Sequence, residues 1–163
     1  MKMRLEKLNE IKDSEYRRVL KQYLEKVLKV FKSKAIGVIL FGSLAKGNAK
    51  PFSSAESDID LIVVIRNLPS LQDRIIMISK LVRELELPSI IQAIYMTPEE
   101  LESHIKSMAG WIINAMVDGI ILYDKENILT GLRDRLLKEL KEKGVERTPY
   151  GWVWPIRAGE RTF

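Results

Sequence analysis

The 163-residue chain contains no cysteine, which excludes disulfide frameworks, thiol nucleophiles and thiolate metal sites. It also lacks long apolar runs. Stretches such as Ile36–Phe41 and Leu61–Ile65 have the length of strands and are far too short to span a bilayer, so no membrane partner is expected. The first residues are charged and no apolar stretch precedes a small-residue cleavage site; no signal peptide is expected, and the expected location is cytoplasmic. No internal repeat and no low-complexity linker interrupts the chain. With three Gln and no Cys beside abundant Lys, Glu and Ile, the composition hints at a thermophilic source.

What is present suits a folded protein. With 46% hydrophobic and 30% charged residues, wholesale disorder is excluded. The length fits one domain over 1–163, with a helical segment at 1–33, a core at 34–124, and a final helix with a Trp-containing tail at 125–163. The net charge is +5, from 27 basic and 22 acidic residues. Much of the basic excess lies in the N-terminal third and the tail. Such a balance helps to attract nucleotide or RNA without specifying either.

The pattern of elements predicts a mixed α/β (α+β) fold. Leu5 to Phe31 reads as helix with a break near Asp13 and Ser14, either of which can cap the second piece. Ala35–Phe41 reads as a buried strand. A stretch rich in Gly, Ala, Lys and Ser leads to a second strand, Asp58–Ile65. A helix over Ser70–Leu85 follows, with Leu71, Ile75, Ile78, Leu81 and Val82 as its inner face. Ser89–Met96 forms a third strand. Thr97-Pro98-Glu99-Glu100 then starts a helix that runs to Val117, with Thr97 as cap and Glu100 closing a capping box. Ile120–Tyr123 is a short strand, and Glu126–Lys143 a last helix stopped by Gly144. His104, the only histidine, reads as structural, and Trp152 and Trp154 are expected to pack against the last helix.

The chemistry concentrates in two places: Phe41-Gly42-Ser43 at the end of one strand, and Ser57-Asp58-Ile59-Asp60-Leu61 opening the next. Alternation along a strand puts Asp58 and Asp60 on one face, where two carboxylates repel unless a cation joins them. Hard oxygen ligands at this spacing suit Mg²⁺, which binds through one or two carboxylates plus phosphate oxygens. Gly42 lets a phosphate approach the backbone. Ser43 offers a hydroxyl and a backbone N–H near a possible helix start, which would favour an anion. An Asp-x-Asp pair can also be a solvated polar face, but Ile59 and Leu61–Val64 mark this strand as central.

Gly42-Ser43-Leu44-Ala45-Lys46-Gly47 with Ser57-Asp58-Ile59-Asp60-Leu61-Ile62-Val63 resembles the Gly-Ser … Asp-x-Asp motif of the DNA polymerase β-type nucleotidyltransferase superfamily, and more closely its minimal nucleotidyltransferases. Tyr95–Leu101, Asp118–Asp124 and Gly151–Trp154 extend the resemblance over most of the chain. It implies a small mixed sheet flanked by helices, two Mg²⁺ ions, and transfer of a nucleoside monophosphate from a triphosphate, with ATP foremost, to a hydroxyl. Asp58 and Asp60 would be catalytic metal ligands; Gly42, Ser43, Lys46 and Ser57 would hold the nucleotide. Lys46 stands where relatives often have arginine, keeping the charge but losing the bidentate fork. The resemblance also implies an antitoxin role, with a HEPN-type toxin as partner and its tyrosine as acceptor. Homo- or hetero-oligomers are compatible with it.

The chain departs from the pattern at one point. Counting back from Thr97, the usual third carboxylate falls on Gln92, which is neutral and cannot take a proton; Glu84 or Glu86 are the other candidates. Loss of a general base typically costs roughly 10²–10⁴-fold in rate. Two functions therefore compete: a nucleotidyltransferase, and a catalytically impaired module of the same fold that neutralises a partner by contact.

Overall fold

A computed structural model describes residues 5–155; the ends of the expected domain, residues 1–4 and 156–163, lie outside the described residues. The N-terminal helices are α1 (Leu5–Leu8) and α2 (Ser14–Phe31), separated where Asp13 caps α2 by accepting from the Glu15 N–H at 3.0 Å. Strand β1 (Ala35–Phe41) leads into the single turn α3 (Gly42–Lys46), and β2 spans Ile59–Ile65. Helix α4 (Leu71–Glu84) crosses to β3 (Ile91–Met96). Helices α5 (Pro98–Lys106) and α6 (Gly110–Asp118) precede β4 (Ile120–Asp124), and α7 spans Ile128–Glu142. A hairpin of β5 (Glu146–Thr148) and β6 (Gly151–Val153) follows.

The main sheet has the order β3-β2-β1-β4. β1 is antiparallel to both neighbours, while β2 and β3 run parallel, joined by α4 as such a crossover requires. This is the small mixed sheet flanked by helices that the family resemblance implies, within the mixed α/β class that the pattern of elements predicts. Its two faces carry separate cores. On one, Leu40, Leu61 and Val63 pack with Tyr23, Leu24 and Val27 of α2. On the other, Ile39, Ile62 and Val64 pack under Leu101 of α5, Ile112 and Met116 of α6 and Leu136 of α7. The buried hydroxyls of Tyr23 and Tyr95 satisfy each other across the first core. Burial raises both phenols above their ordinary value, so the pair stays neutral. No helix among the described residues is long and apolar enough to cross a membrane.

Four sequence expectations need correction. The helix from Thr97 is two helices: Met108 adopts φ +53 and Ala109 is extended, so α5 ends and α6 starts in a new direction. Apolar spacing runs through the break, which hides it. The inner face assigned to α4 is largely outer. Leu71 (69% exposed), Ile75 and Val82 face solvent, while Ile78, Leu81 and Leu85 pack inward. Arg74 is the one residue of that helix that is buried outright. The last helix begins two residues later than expected, after a 3₁₀ turn at Lys125–Asn127. There Asp124 accepts from the backbone N–H groups of Leu129 (2.7 Å) and Thr130 (2.9 Å). Trp152 bonds to α6 rather than simply packing on α7, and Trp154 is 41% exposed.

Candidate active site

Strand β1 arrives at the site through Phe41, which is extended, and the chain then turns abruptly at Gly42 with φ +77. Two constraints meet at Gly42. Its backbone lies in the left-handed region that side chains rarely adopt, and a Cβ there would overlap the Asp60 carboxylate oxygen Oδ2. The register explains the proximity, because Phe41 is paired with Asp60 across the antiparallel strands. α3 has only five residues and closes at Gly47, also left-handed. One turn carries little macrodipole, so Gly42 and Ser43 offer local N–H and hydroxyl groups rather than a helix field.

Asp58 stands one residue ahead of β2 and is exposed; Asp60 is within β2 and half-buried. Strand alternation puts both on the face of Ile62 and Val64, under α5–α7. Burial pushes the Asp60 carboxyl above its ordinary value, and the Asp58 charge adds to the push. Without a cation, then, the fold disfavours the ionised form of Asp60. The donor set fits a hard divalent cation such as Mg²⁺, held by one or two carboxylates with phosphate oxygens completing the shell.

Gln92 lies directly beside Asp60 in the parallel β2–β3 register, and Met96 on the same strand joins the same core face. It is exposed, and its Nε2 donates to the Ser89 carbonyl at 3.1 Å. Glu84 lies 3.8 Å from Lys80 on the outer side of α4, and Glu86 occupies a positive-φ turn. Among the described residues, no group of three or more His, Asp or Glu side chains is placed to hold a metal. The strand register thus sets a neutral amide next to Asp60.

The loop between the two halves of the motif is tied to α2. Asp13 accepts from the Phe52 N–H at 3.0 Å, Tyr16 donates to the Lys50 carbonyl at 2.8 Å, and the Tyr16 and Phe52 rings meet edge-on at 5.2 Å. Ser57 in turn accepts from the Lys50 N–H at 2.9 Å. The hydrogen bond from Phe52 holds the Asp13 carboxyl below its ordinary value, whereas burial and the charges of Asp13 and Asp58 raise the Tyr16 phenol. Sequence reasoning missed Tyr16 because its partners are 34 or more residues away. Lys46 is exposed and lines two cavities. The larger, about 520 Å³ between α3, the loop and the start of α2, does not reach Asp58 or Asp60. The smaller, about 170 Å³, adjoins Gly42. His104 meets Trp111 edge-on at 5.5 Å.

The family model for the nucleotidyltransferase domain matches residues 20–122. A protein of Methanocaldococcus jannaschii that bears the name "Putative protein adenylyltransferase" is 31% identical over 130 residues, covering 76% of this chain and 82% of the relative. Among solved structures, a toxin–antitoxin crystal structure with AMP-PNP is similar at a TM-score of 0.48 and 16% identity, over 75% of this chain and 86% of that one. A Sulfolobus solfataricus crystal structure, provisionally assigned as a nucleotidyltransferase, is similar at a TM-score of 0.44 and 24% identity, over 67% of this chain and 83% of that one.

Proposed function

The chain belongs to the nucleotidyltransferase domain family, and from that premise we propose that it transfers a nucleoside monophosphate from a Mg²⁺-bound triphosphate, ATP foremost, to a hydroxyl group. The observation that carries the reading is the contact between Gly42 and Asp60. The missing Cβ leaves room for the Asp60 carboxylate directly against the Gly42 backbone, at the turn where β1 ends. Asp58 and Asp60 hold Mg²⁺, which when bound neutralises charge on the triphosphate and orients it. The Ser43 hydroxyl and the backbone at Gly42 hold phosphate oxygens, and Lys46 and Ser57 face the same ligand. The acceptor oxygen attacks the α-phosphorus, the bond to the β-phosphate bridging oxygen breaks, and pyrophosphate leaves. Gln92 cannot take the acceptor proton, which passes to water. The resemblance drawn from the sequence makes the acceptor a tyrosine of a HEPN-type toxin, which this chain would neutralise as antitoxin; the name of the M. jannaschii relative agrees with a protein acceptor.

The register of Gln92 beside Asp60 favours a second reading, in which the fold binds nucleotide and partner but turns over slowly or not at all. One experiment separates them. The protein is incubated with Mg²⁺, α-labelled ATP and the neighbouring gene's product, beside an Asp58→Ala/Asp60→Ala control. Label moved only by the unmodified protein supports the transferase. Partner binding without label transfer from any nucleotide supports the module. Gln92→Asp should raise the rate by roughly 10²-fold or more if position 92 is the base position; an unchanged or lower rate removes that assignment.

A further inference from the structure

The cavity of about 170 Å³ beside Gly42 opens on the same face of the sheet as Asp58, Asp60 and Gln92. Its floor is Phe41 and Gly42. Its far wall is one face of α6, where Trp111, Asn114 and Asp118 recur at helical spacing. The opposite face of that helix, Ile112, Ile113 and Met116, is core. Trp111 is 41% exposed, unusual for so large an apolar ring. Because Gly42 belongs both to the cavity and to the contact with Asp60, a ligand anchored in the cavity and reaching across Gly42 arrives at the carboxylates.

The C-terminal hairpin prepares this wall. Trp152 donates its indole N–H to Asn114 Oδ1 at 2.8 Å. An indole nitrogen is only ever a donor, so the Asn114 amide is held with its oxygen toward Trp152 and its NH₂ turned away. That oxygen keeps a second lone pair, and among the described residues the NH₂ has no partner. Asp118 would repel an anion, but Arg147 clamps it with both terminal nitrogens while lying 5.4 Å over the Trp152 ring. The charge of Asp118 is thus offset, while Lys46 stands positive at the same cavity.

The geometry points to the α3–α6 cavity as the nucleobase subsite, with Trp111 as the ring against which the base packs and Asn114, oriented by Trp152, as the group that selects adenine. The inference rests on the nucleotidyltransferase reading above. A primary amide matches the N6 donor and N7 acceptor edge of adenine, accepting from one and donating to the other. Guanine offers two acceptors there and leaves the Asn114 oxygen unmatched. Trp152 is a positioning residue, since it acts through Asn114.

The test is calorimetric titration of the full chain with Mg²⁺ and α,β-methylene analogues of ATP, GTP and CTP, and with inorganic tripolyphosphate. Trp111→Ala should weaken all three nucleotides roughly ten-fold or more and leave tripolyphosphate unchanged. Asn114→Ala should erase a preference for ATP over GTP of about ten-fold. Trp152→Phe keeps the ring but removes the donor, and should erode the same preference while circular dichroism shows an unchanged fold. Nucleotide binding that Asp58→Ala/Asp60→Ala abolishes, yet Trp111→Ala and Asn114→Ala leave as in the wild type, would overturn the subsite alone. Binding that responds to Trp111 but not to the two aspartates overturns the metal reading instead. Failure of every nucleotide to bind overturns both.

Discussion

Gly42 illustrates how one residue can be fixed twice, by backbone and by neighbour. Gly42→Ala should cost about 1–3 kcal/mol for the left-handed backbone, and pushing Asp60 aside should lower transfer by roughly 10²-fold. Gly47 offers the control. It has φ +79 but open space around its Cβ position, so Gly47→Ala should show the stability loss in thermal melts without the fall in activity. The placement of Gly42, Asp58 and Asp60 together is legible in the sequence, because alternation along a strand states the face that the two carboxylates share. That of Trp111, Asn114 and Trp152 is not. A tryptophan or asparagine in an apolar helix reads as ordinary until the chain brings residue 152 back across 38 positions.

Arg74 shows the same blindness one level up, in how an element docks. Its guanidinium donates to the carbonyls of Pro69 and Tyr95 and, through both terminal nitrogens, to Glu100 at 2.7 and 2.9 Å. This bolts α4 to the start of α5. The sequence shows a helix with ample apolar residues and invites the wrong face inward; the charge anchors the helix instead, leaving Leu71 and Ile75 in solvent. Glu100 remains about a third exposed, so Arg74→Ala should cost about 2–3 kcal/mol in denaturant melts, below the range for fully buried pairs. Arg74→Lys should not restore it, for want of the fork. The hydrogen bond from Arg74 holds the Glu100 carboxyl below its ordinary 4.5. Its contribution is complete above that value and lost as pH falls through the depressed one. Melting temperature should therefore fall more steeply below pH 4.5 in the wild type than in Arg74→Ala. By contrast the α5–α6 break goes unread although Gly110 opens α6, because the left-handed residue itself is Met108 and apolar spacing runs through the turn.

For the whole molecule, the alternation of strands and helices is plain in the sequence as apolar runs. The mixed sheet comes from the family resemblance, and the two separate cores only from the structure. The pairing order β3-β2-β1-β4 is less plain, since it brings together strands far apart in the chain, β1 and β4 above all. A ligand bound only by the folded chain adds stability by mass action. Mg²⁺ with a non-hydrolysable ATP analogue at 100 times its Kd should contribute about 2.7 kcal/mol, a rise of roughly 5–10 °C in Tm. Asp58→Ala/Asp60→Ala should show no such rise. The hairpin that grips α6 adds a consequence in time. During synthesis residues 42–60 leave the ribosome long before residues 147 and 152 can clamp Asp118 and hold Asn114. On the proposed subsite, a chain ended at Val145 keeps the four-stranded sheet and α1–α7 but loses both ties to α6, and should bind ATP and GTP alike in the same titration.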